Sequence, residues 1–453
     1  MIQAFAPFSR KAVWVGRTCK LLGNLTFVIF LFSIPALSQT KPNIIYIMAD
    51  DLGWSELGSY GNHFNETPFL DSLAKNGIRF TQAYTPAPVC SPTRAALMTG
   101  KYPAKVGITD FLDVRDEKFL SPDYLTLNEQ LKKGGYHTGL IGKWHLTGDY
   151  DKRKGSPDKH GWDEVISSET RYIAGGAYFH PYFFLPGLEA KSENEYLTDR
   201  LNGEAVDFIK RNKREPFFLY LSHYSVHTKL SGKEEKVLKY KRKTGAGTDR
   251  NNPELAAMLE SIDEGIRQIV NALREAGIEK NTLVIFTSDN GGETKVTTNS
   301  PMRGGKSQLY EGGIRVPFIA YWPGKITTRV NAETPINAID IFPTFTELAG
   351  LPALKKDDYD GTSISSLLLG KSSIKPRNLY WYYPLAKPHF LGGRSAAAIR
   401  SGDFKLIEFL DDHSVELYDL KNDGSEKTNL AERMPGKREE LKAALLKWKN
   451  GFL

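Results

Sequence analysis

Four short apolar stretches of this 453-residue chain end in residues that can do chemistry. NIIYIMADD ends at Asp50 and Asp51, and HTGLIGKWH at Lys143 and His145. PFFLYLSHYSVH carries His223 and His227, and TLVIFTSDNGG carries Asp289 and Asn290. Two adjacent acids after a buried run repel each other unless a proton or a cation intervenes. A second acid–amide pair adds hard oxygens of the kind that bind Ca²⁺ or Mg²⁺. Either pair alone also fits a solvated turn, because Asp and Asn are turn formers. Lys143 and Lys306 lie on glycine-bearing loops, IGKWH and PMRGGKSQLYEGG, where little bulk would block an anion. A single loop lysine is ordinarily a solvated one and a single histidine ordinarily structural, so the weight rests on the set.

A fifth stretch, PAPVCSPTRAALMTGKYP, holds Cys90, one of two cysteines in the chain. Its pattern predicts a helix starting near Ser91 or Pro92, since proline fits a first helical turn. Cys90 would then sit at a helix N-terminus, where free N–H groups and the dipole favour an anion. Arg94 follows one turn later and could face it. A thiolate nucleophile would want a histidine base beside it. A carbonyl made from this cysteine would instead want a metal, a base and positive charge for a leaving anion. Composition and spacing leave both readings open, along with that of an inert buried thiol.

The elements that must position these residues follow from periodicity. Each of the four runs has the length and the β-branched or aromatic content of a strand buried on both faces. Helical patterns lie between them: TPFLDSLAKNG, LTLNEQLKKGGY and the long amphipathic ELAAMLESIDEGIRQIVNALREAG. Strands alternating with helices predict an α/β fold with a large, mainly parallel sheet sandwiched by helices. Ligands of such sheets bind beyond the carboxyl ends of the strands, so all four polar endings would gather at one edge. The pattern changes near residue 375. NLYWYYPL, SAAAIRSGDFKLIEFL and VELYDLKND read as short strands, and MPGKREELKAALLKWKNG as a closing helix. The expected division is a leader over 1–38, a catalytic domain over 39–374 and a smaller C-terminal antiparallel sheet with a helix over 375–453.

Cys90-Ser91-Pro92-Thr93-Arg94, followed by Leu97-Met98-Thr99-Gly100, resembles the C-x-P-x-R signature of the type I, formylglycine-dependent sulfatases of the alkaline-phosphatase-like superfamily. GYHTGLIGKWH, Gly135 to His145, is similar to the second signature of that family. The resemblance spans about residues 41–320. It implies that Cys90 is oxidised to formylglycine by a maturing enzyme during export. It further implies one Ca²⁺, with Mg²⁺ the lesser alternative, held by Asp50, Asp51, Asp289, Asn290 and the modified residue 90. In that scheme a hydroxyl of the formylglycine hydrate attacks sulfur, and Lys143, Lys306 and Arg94 stabilise the sulfuryl charge or orient the hydrate. His227 protonates the leaving oxygen, and His145 takes the proton of the second hydroxyl so that the carbonyl re-forms and sulfate departs. Family members often carry proline just before this histidine and again two residues after it. Here Val226 and Lys229 stand in those places, so His223 is the competing choice for His227.

Bulk properties narrow the setting. Arg10, Lys11, Arg17 and Lys20 precede the apolar run LTFVIFLFSIPAL, and small residues follow it, which is the plan of a cleaved secretory signal. The run is short for a membrane span, so no stable anchor is expected. Losing residues 1–38, with four basic and no acidic residues, lowers the formal charge from +7 to +3 and removes Cys19. A charge that small gives no reason to expect a nucleic-acid partner. The expectation is a periplasmic or secreted sulfatase acting on sulfated carbohydrate, polysaccharide or oligosaccharide. SETRYIAGGAYFHPYF and YWYYPLAKPHF would supply a few aromatic and basic sugar contacts. Alternatives are an arylsulfatase for small substrates, a phosphonate monoester or phosphodiester hydrolase on the same scaffold, and a binding protein without turnover.

Overall fold

The computed structural model describes residues 41–113, 115–171, 177–185, 188–248 and 251–452. The predicted leader lies outside the described residues. Nine strands form the large sheet: β1 (Asn43–Ala49), β2 (Ile78–Tyr84), β3 (His137–Gly142), β4 (Glu164–Ile166), β5 (Phe217–Ser222), β6 (Thr282–Ser288), β7 (Arg315–Tyr321), β8 (Arg329–Asn331) and β9 (Ile336–Asn337). Their order is β4-β3-β5-β1-β6-β7-β2-β8, with β9 also on β2. The run from β4 to β6 is parallel throughout. β7 runs antiparallel to both β6 and β2. Because β7 reverses twice, β2 points the same way as β1, and its carboxyl end lies on the same edge as those of β1, β3, β5 and β6.

The apolar content of these strands has a direct cause. In β1 all seven residues are buried. Ile45, Ile47 and Ala49 enter one core, while Ile44, Tyr46 and Met48 enter the other. Alternate side chains of a strand point to opposite faces, so a strand covered on both sides is apolar along nearly its whole length. The first face is covered by α4 (Leu197–Asn212) and α6 (Pro253–Glu275), together with α1 (Pro68–Asn76). In α6, Leu255, Met258, Leu259, Ile262, Ile266, Ile269 and Leu273 recur every three or four residues and are buried in that core. Its start is fixed by Pro253 and by the Asn252 side chain, which accepts from the N–H groups of Glu254 and Leu255. The second face receives α2 (Cys90–Thr99) and α3 (Leu127–Lys133). α5 (Glu234–Lys241) packs outside α6, with Val237 and Tyr240 against Ala256 and Ala257.

A second, four-stranded antiparallel sheet follows: β10 (Asn378–Tyr383), β11 (Ala396–Ser401), β12 (Phe404–Phe409) and β13 (Val415–Asp419). One of its faces, with Leu379, Trp381 and Tyr383, packs on Tyr84, Val89, Leu309 and Ile314. The other face takes Leu441 and Leu445 of the closing helix Pro435–Lys449. The small sheet therefore braces the segment that leads into Cys90 and the loop that carries Lys306. Among the described residues, no helix is long and apolar enough to cross a membrane.

Candidate active site

The carboxyl ends of β1, β3, β5 and β6 deliver Asp50–Asp51, Lys143–His145, His223–His227 and Asp289–Asn290 to one edge of the sheet, as the pattern of the sequence predicts. α2 begins at Cys90, one residue before the predicted start, and all ten of its residues are buried. Cys90 thus occupies the first turn, and Arg94, four residues on, lies on the same helix face. The turn after β3 needs glycine: Gly142 has φ +95°, and a Cβ there would lie 2.0 Å from the Ser222 carbonyl oxygen. That close approach lets the Lys143 N–H donate to the same carbonyl, at 2.8 Å. Asp51 and His145 also hold positive φ, 60° and 57°, in the sparsely populated left-handed region. Strain of this kind gathers at functional sites.

The charged groups interlock. Lys143 Nζ lies 2.5 Å from Asp50 Oδ2, and Lys306 Nζ 2.7 Å from Asp51 Oδ2. Arg94 donates to Asp289 Oδ2 from Nη2 at 2.6 Å and from Nε at 3.1 Å, and Nη1 donates to Ser222 Oγ at 2.5 Å. Asn290 Nδ2 donates to Asp51 Oδ1 at 2.8 Å. All of these side chains are nine-tenths buried or more. Burial raises the Asp51 carboxyl, but Lys306, His227 and Lys143 outweigh it and hold the group below the ordinary range. Arg94 does the same for Asp289. Asp50 goes the other way: burial and then Asp289 push it well up, against the pull of Lys143 and Arg94.

This donor set fits a hard divalent cation. Oxygens of Asp50 and Asp289 and the sulfur of Cys90 lie within 4.8 Å of one another. Asp50 Oδ1 and Asn290 Oδ1 are buried and accept no hydrogen bond, although buried oxygens are normally satisfied. A cation among them would satisfy both and would favour the ionised form of Asp50.

The histidines differ in what they offer. His145 donates from Nε2 to the Leu112 carbonyl at 3.0 Å, which leaves Nδ1 without a proton, buried and unpartnered. Burial, then Lys143 and Arg94, push this imidazole well below its ordinary pKa, so it is a neutral base. His227 donates from Nδ1 to the Thr228 carbonyl at 2.6 Å, and its Nε2 lies 3.7 Å from Asp51 Oδ2. Burial and Lys306 bring it down to about 3 in the absence of a ligand, with Asp51 opposing. An anion docked beside it would favour its protonated form. His223 is fully buried with neither ring nitrogen hydrogen-bonded, and burial alone takes it to about 3. The structure therefore brings His227, not His223, to the charged cluster.

Burial raises the Cys90 thiol to about 11, with Lys143 and Lys306 pulling it down in part. Burial outweighs the two lysines, and the groups that weigh on the sulfur are lysines and aspartates rather than a histidine. An unmodified thiolate nucleophile is a poor fit for this position.

Several residues support the site in ways the sequence pattern does not indicate. Glu169 is buried in the loop after β4 and accepts from the Trp144 N–H at 2.9 Å and from the His145 N–H. Tyr178 donates to the carbonyls of Tyr224 and His227 at 2.7 and 2.8 Å. Leu112 joins two parts of the site, donating from its N–H to Ser91 Oγ at 3.0 Å while accepting from His145. Of the aromatics named as sugar contacts, Trp381 and Tyr383 are core residues, as are Tyr178 and Tyr182 of the other segment, whereas Phe183 is exposed. Residues 172–176 of the other segment lie outside the described residues.

Known proteins resemble this chain in sequence and fold. The sulfatase family model matches residues 42–351, and the model of the N-sulphoglucosamine sulphohydrolase C-terminal region matches 305–450. The chain is 32% identical to a sulfatase of Formosa agariphila, over 91% of this chain and 89% of that one. It is 31% identical to human arylsulfatase A, over 89% and 86%. The crystal structure of Ps i-CgsB in complex with k-i-k-neocarrahexaose superposes with a TM-score of 0.79 at 32% identity, covering 90% of this chain and 93% of that one.

Proposed function

This chain belongs to the sulfatase family and is a sulfuric ester hydrolase; on that premise we propose that it is an exported, Ca²⁺-dependent enzyme that desulfates carbohydrate through a formylglycine made from Cys90. The observation that carries the reading is the meeting of Cys90, Asp50 and Asp289 at the head of α2, with two buried oxygens that accept no hydrogen bond and two lysines alongside. The carbohydrate part is supported by the sugar complex of Ps i-CgsB. Export, to the periplasm or the medium, is supported by the leader pattern of residues 1–38 and by the need for a maturing enzyme.

Asp50, Asp51, Asp289 and Asn290 would hold the cation, which when bound supplies positive charge to a sulfate oxygen and eases ionisation of a hydroxyl beside it. Formylglycine, as its hydrate, would supply one hydroxyl to attack sulfur, its proton passing to Asp289 or a neighbouring group, and a second whose loss of a proton would re-form the carbonyl and release sulfate. The remaining work belongs to side chains already in position. Lys143 and Lys306 set two ammonium groups beside the anion and stay charged, because Asp50 and Asp51 outweigh their burial. Arg94 ties α2 to β6 through Asp289 and to β5 through Ser222, fixing residue 90 against the acids. His145 offers a proton-free Nδ1 to the second hydroxyl, with its tautomer set by Leu112. His227, protonated once the anion is bound, delivers a proton from Nε2 to the leaving oxygen.

The test is hydrolysis of 4-nitrophenyl sulfate, 4-nitrophenyl phosphate and a panel of sulfated saccharides by purified enzyme, before and after chelation, with a mass spectrum of the peptide around residue 90. The expected result is preference for sulfate, loss of activity on chelation with return on Ca²⁺, and a peptide lighter by the difference between CH₂SH and CHO. Free thiol alone in active protein would overturn the formylglycine route. Full activity in metal-free protein would overturn the cation.

A further inference from the structure

Phe390 is 70% exposed, the most open of the large apolar side chains among the described residues. It is nevertheless held in place. Its ring stacks on His389 with centroids 4.3 Å apart, and Phe111 meets the other side of the cluster, its ring edge-on to His389 at 5.6 Å. The Lys295 ammonium lies 5.3 Å from the Phe390 ring centroid. These residues come from three parts of the chain: the segment after α2, the loop after β6 and the connection between β10 and β11.

Each of the three is tied to the site. Phe111 precedes Leu112, which bonds to both Ser91 and His145. Lys295 follows Asp289 and Asn290 by a few residues. The loop holding His389 and Phe390 packs backbone to backbone on Ser307, the neighbour of Lys306: a Cβ at Gly393 would lie 1.9 Å from the Ser307 carbonyl oxygen. His389 accepts the Leu391 N–H at Nδ1, at 3.1 Å, so the proton of its neutral ring is on Nε2, which is buried and has no hydrogen-bond partner.

An exposed ring that is fixed by stacking has already given up its rotamer freedom. Pyranose rings present a face of C–H groups that packs on such a surface, and a cation at its edge recognises an anionic substituent. We propose that Phe390, propped by His389 and Phe111 and flanked by Lys295, forms the subsite for the sugar ring next to the one bearing the scissile sulfate. Phe390 takes the apolar face of that ring and Lys295 takes a second anionic group on it, sulfate or carboxylate. His389 acts as a positioning residue through Phe390. The proposal rests on the carbohydrate reading above and narrows it to oligosaccharides of at least two rings, with charge on the second.

The experiment compares the wild type with Phe390→Ala, Phe390→Leu and Lys295→Ala. Substrates are 4-nitrophenyl sulfate and sulfated disaccharides whose second ring carries sulfate, carboxylate or no charge. Phe390→Ala is expected to lower kcat/KM on all the disaccharides about ten-fold, with Phe390→Leu between it and the wild type. Lys295→Ala should lower kcat/KM by a similar factor only where the second ring is charged, and the larger loss between the sulfate and carboxylate series identifies the preferred anion. None of the variants should move 4-nitrophenyl sulfate by more than about two-fold. An equal fall on every substrate would make Phe390 a structural residue and overturn the subsite, as would disaccharide rates unaffected by all three substitutions. A wild type that cleaves 4-nitrophenyl sulfate but no saccharide would overturn the carbohydrate reading itself, and the subsite with it.

Discussion

Two clusters of buried charge among the described residues differ in how completely their oxygens are bonded. The first is the site of Asp50, Asp51, Arg94, Lys143, Asp289 and Lys306. The second lies beneath the small sheet, where Lys405 bonds to Glu311 Oε1 at 3.0 Å and Glu426 Oε1 at 2.9 Å. There the second oxygen of each glutamate is also satisfied. Glu311 Oε2 accepts from the Tyr84 hydroxyl at 2.7 Å, and Glu426 Oε2 from the Glu311 N–H at 2.6 Å. In the first cluster Asp50 Oδ1 and Asn290 Oδ1 accept nothing. Burial and charge are common to both, so neither identifies a functional centre. What sets the first apart is that its unfinished oxygens stand where Asp50, Cys90 and Asp289 converge within 4.8 Å, a donor set that a cation would complete.

The sharpest way to break this comparison is Cys90→Ala. Activity should fall by about 10⁴-fold or more, the scale of losing a nucleophile. The thermal midpoint should barely move, because alanine suits the first turn of a helix. Substantial residual turnover would mean that the open cluster does its work without residue 90.

Asp289→Asn and Lys405→Met set the two clusters directly against each other. The first should cost about 10³-fold in activity and lower the metal content measured by elemental analysis. The second strands two buried carboxylates and should cost about 3–5 kcal/mol of stability in denaturant titration, with the metal content of the folded fraction unchanged. If Lys405→Met also stripped the metal, the closed cluster would belong to the site.

His227→Ala should lower turnover of a sugar sulfate about 10²-fold while changing 4-nitrophenyl sulfate far less, since nitrophenolate leaves without a proton. His223→Ala should affect both substrates alike. A reversal of this leaving-group dependence would exchange the two assignments.

The smallest effect concerns stability against pH. Burial holds His223 neutral, with a pKa of about 3 in the fold against about 6.5 in the unfolded chain. The unfolded chain therefore takes up the proton first on acidification. The stabilising term is fully present above about pH 6.5 and is lost as pH falls from there toward 3. Between pH 6.5 and 5, unfolding free energy of the wild type should fall more steeply than that of His223→Leu, by an extra slope that approaches about 1.4 kcal/mol per pH unit at the acid end. Equal slopes would show that His223 can be protonated inside the fold.

Much of the site is legible in the sequence, and the reason is local. A strand buried on both faces is apolar at nearly every central position, so NIIYIMA and TLVIFTS announce themselves, and the charged residues after them must lie at the sheet edge. Cys90 and Arg94 share a helix face because they are four residues apart. The signature around them ties the edge to sulfate chemistry. The antiparallel β7 between β6 and β2 is not legible, because RVPFIAY has the same composition whichever way it runs. Nor is Glu169, an isolated acid in a loop whose role exists only where the His145 backbone passes it. The choice between His223 and His227 depends on how far the chain turns after β5. The meeting of Lys295 with Phe390, like that of Lys306 with Asp51, requires the packing of distant loops. Periodicity and spacing report what a segment must do within a few residues of itself. Contacts between segments far apart in sequence depend on how two sheets and their connections fill space, and only the tertiary structure decided them.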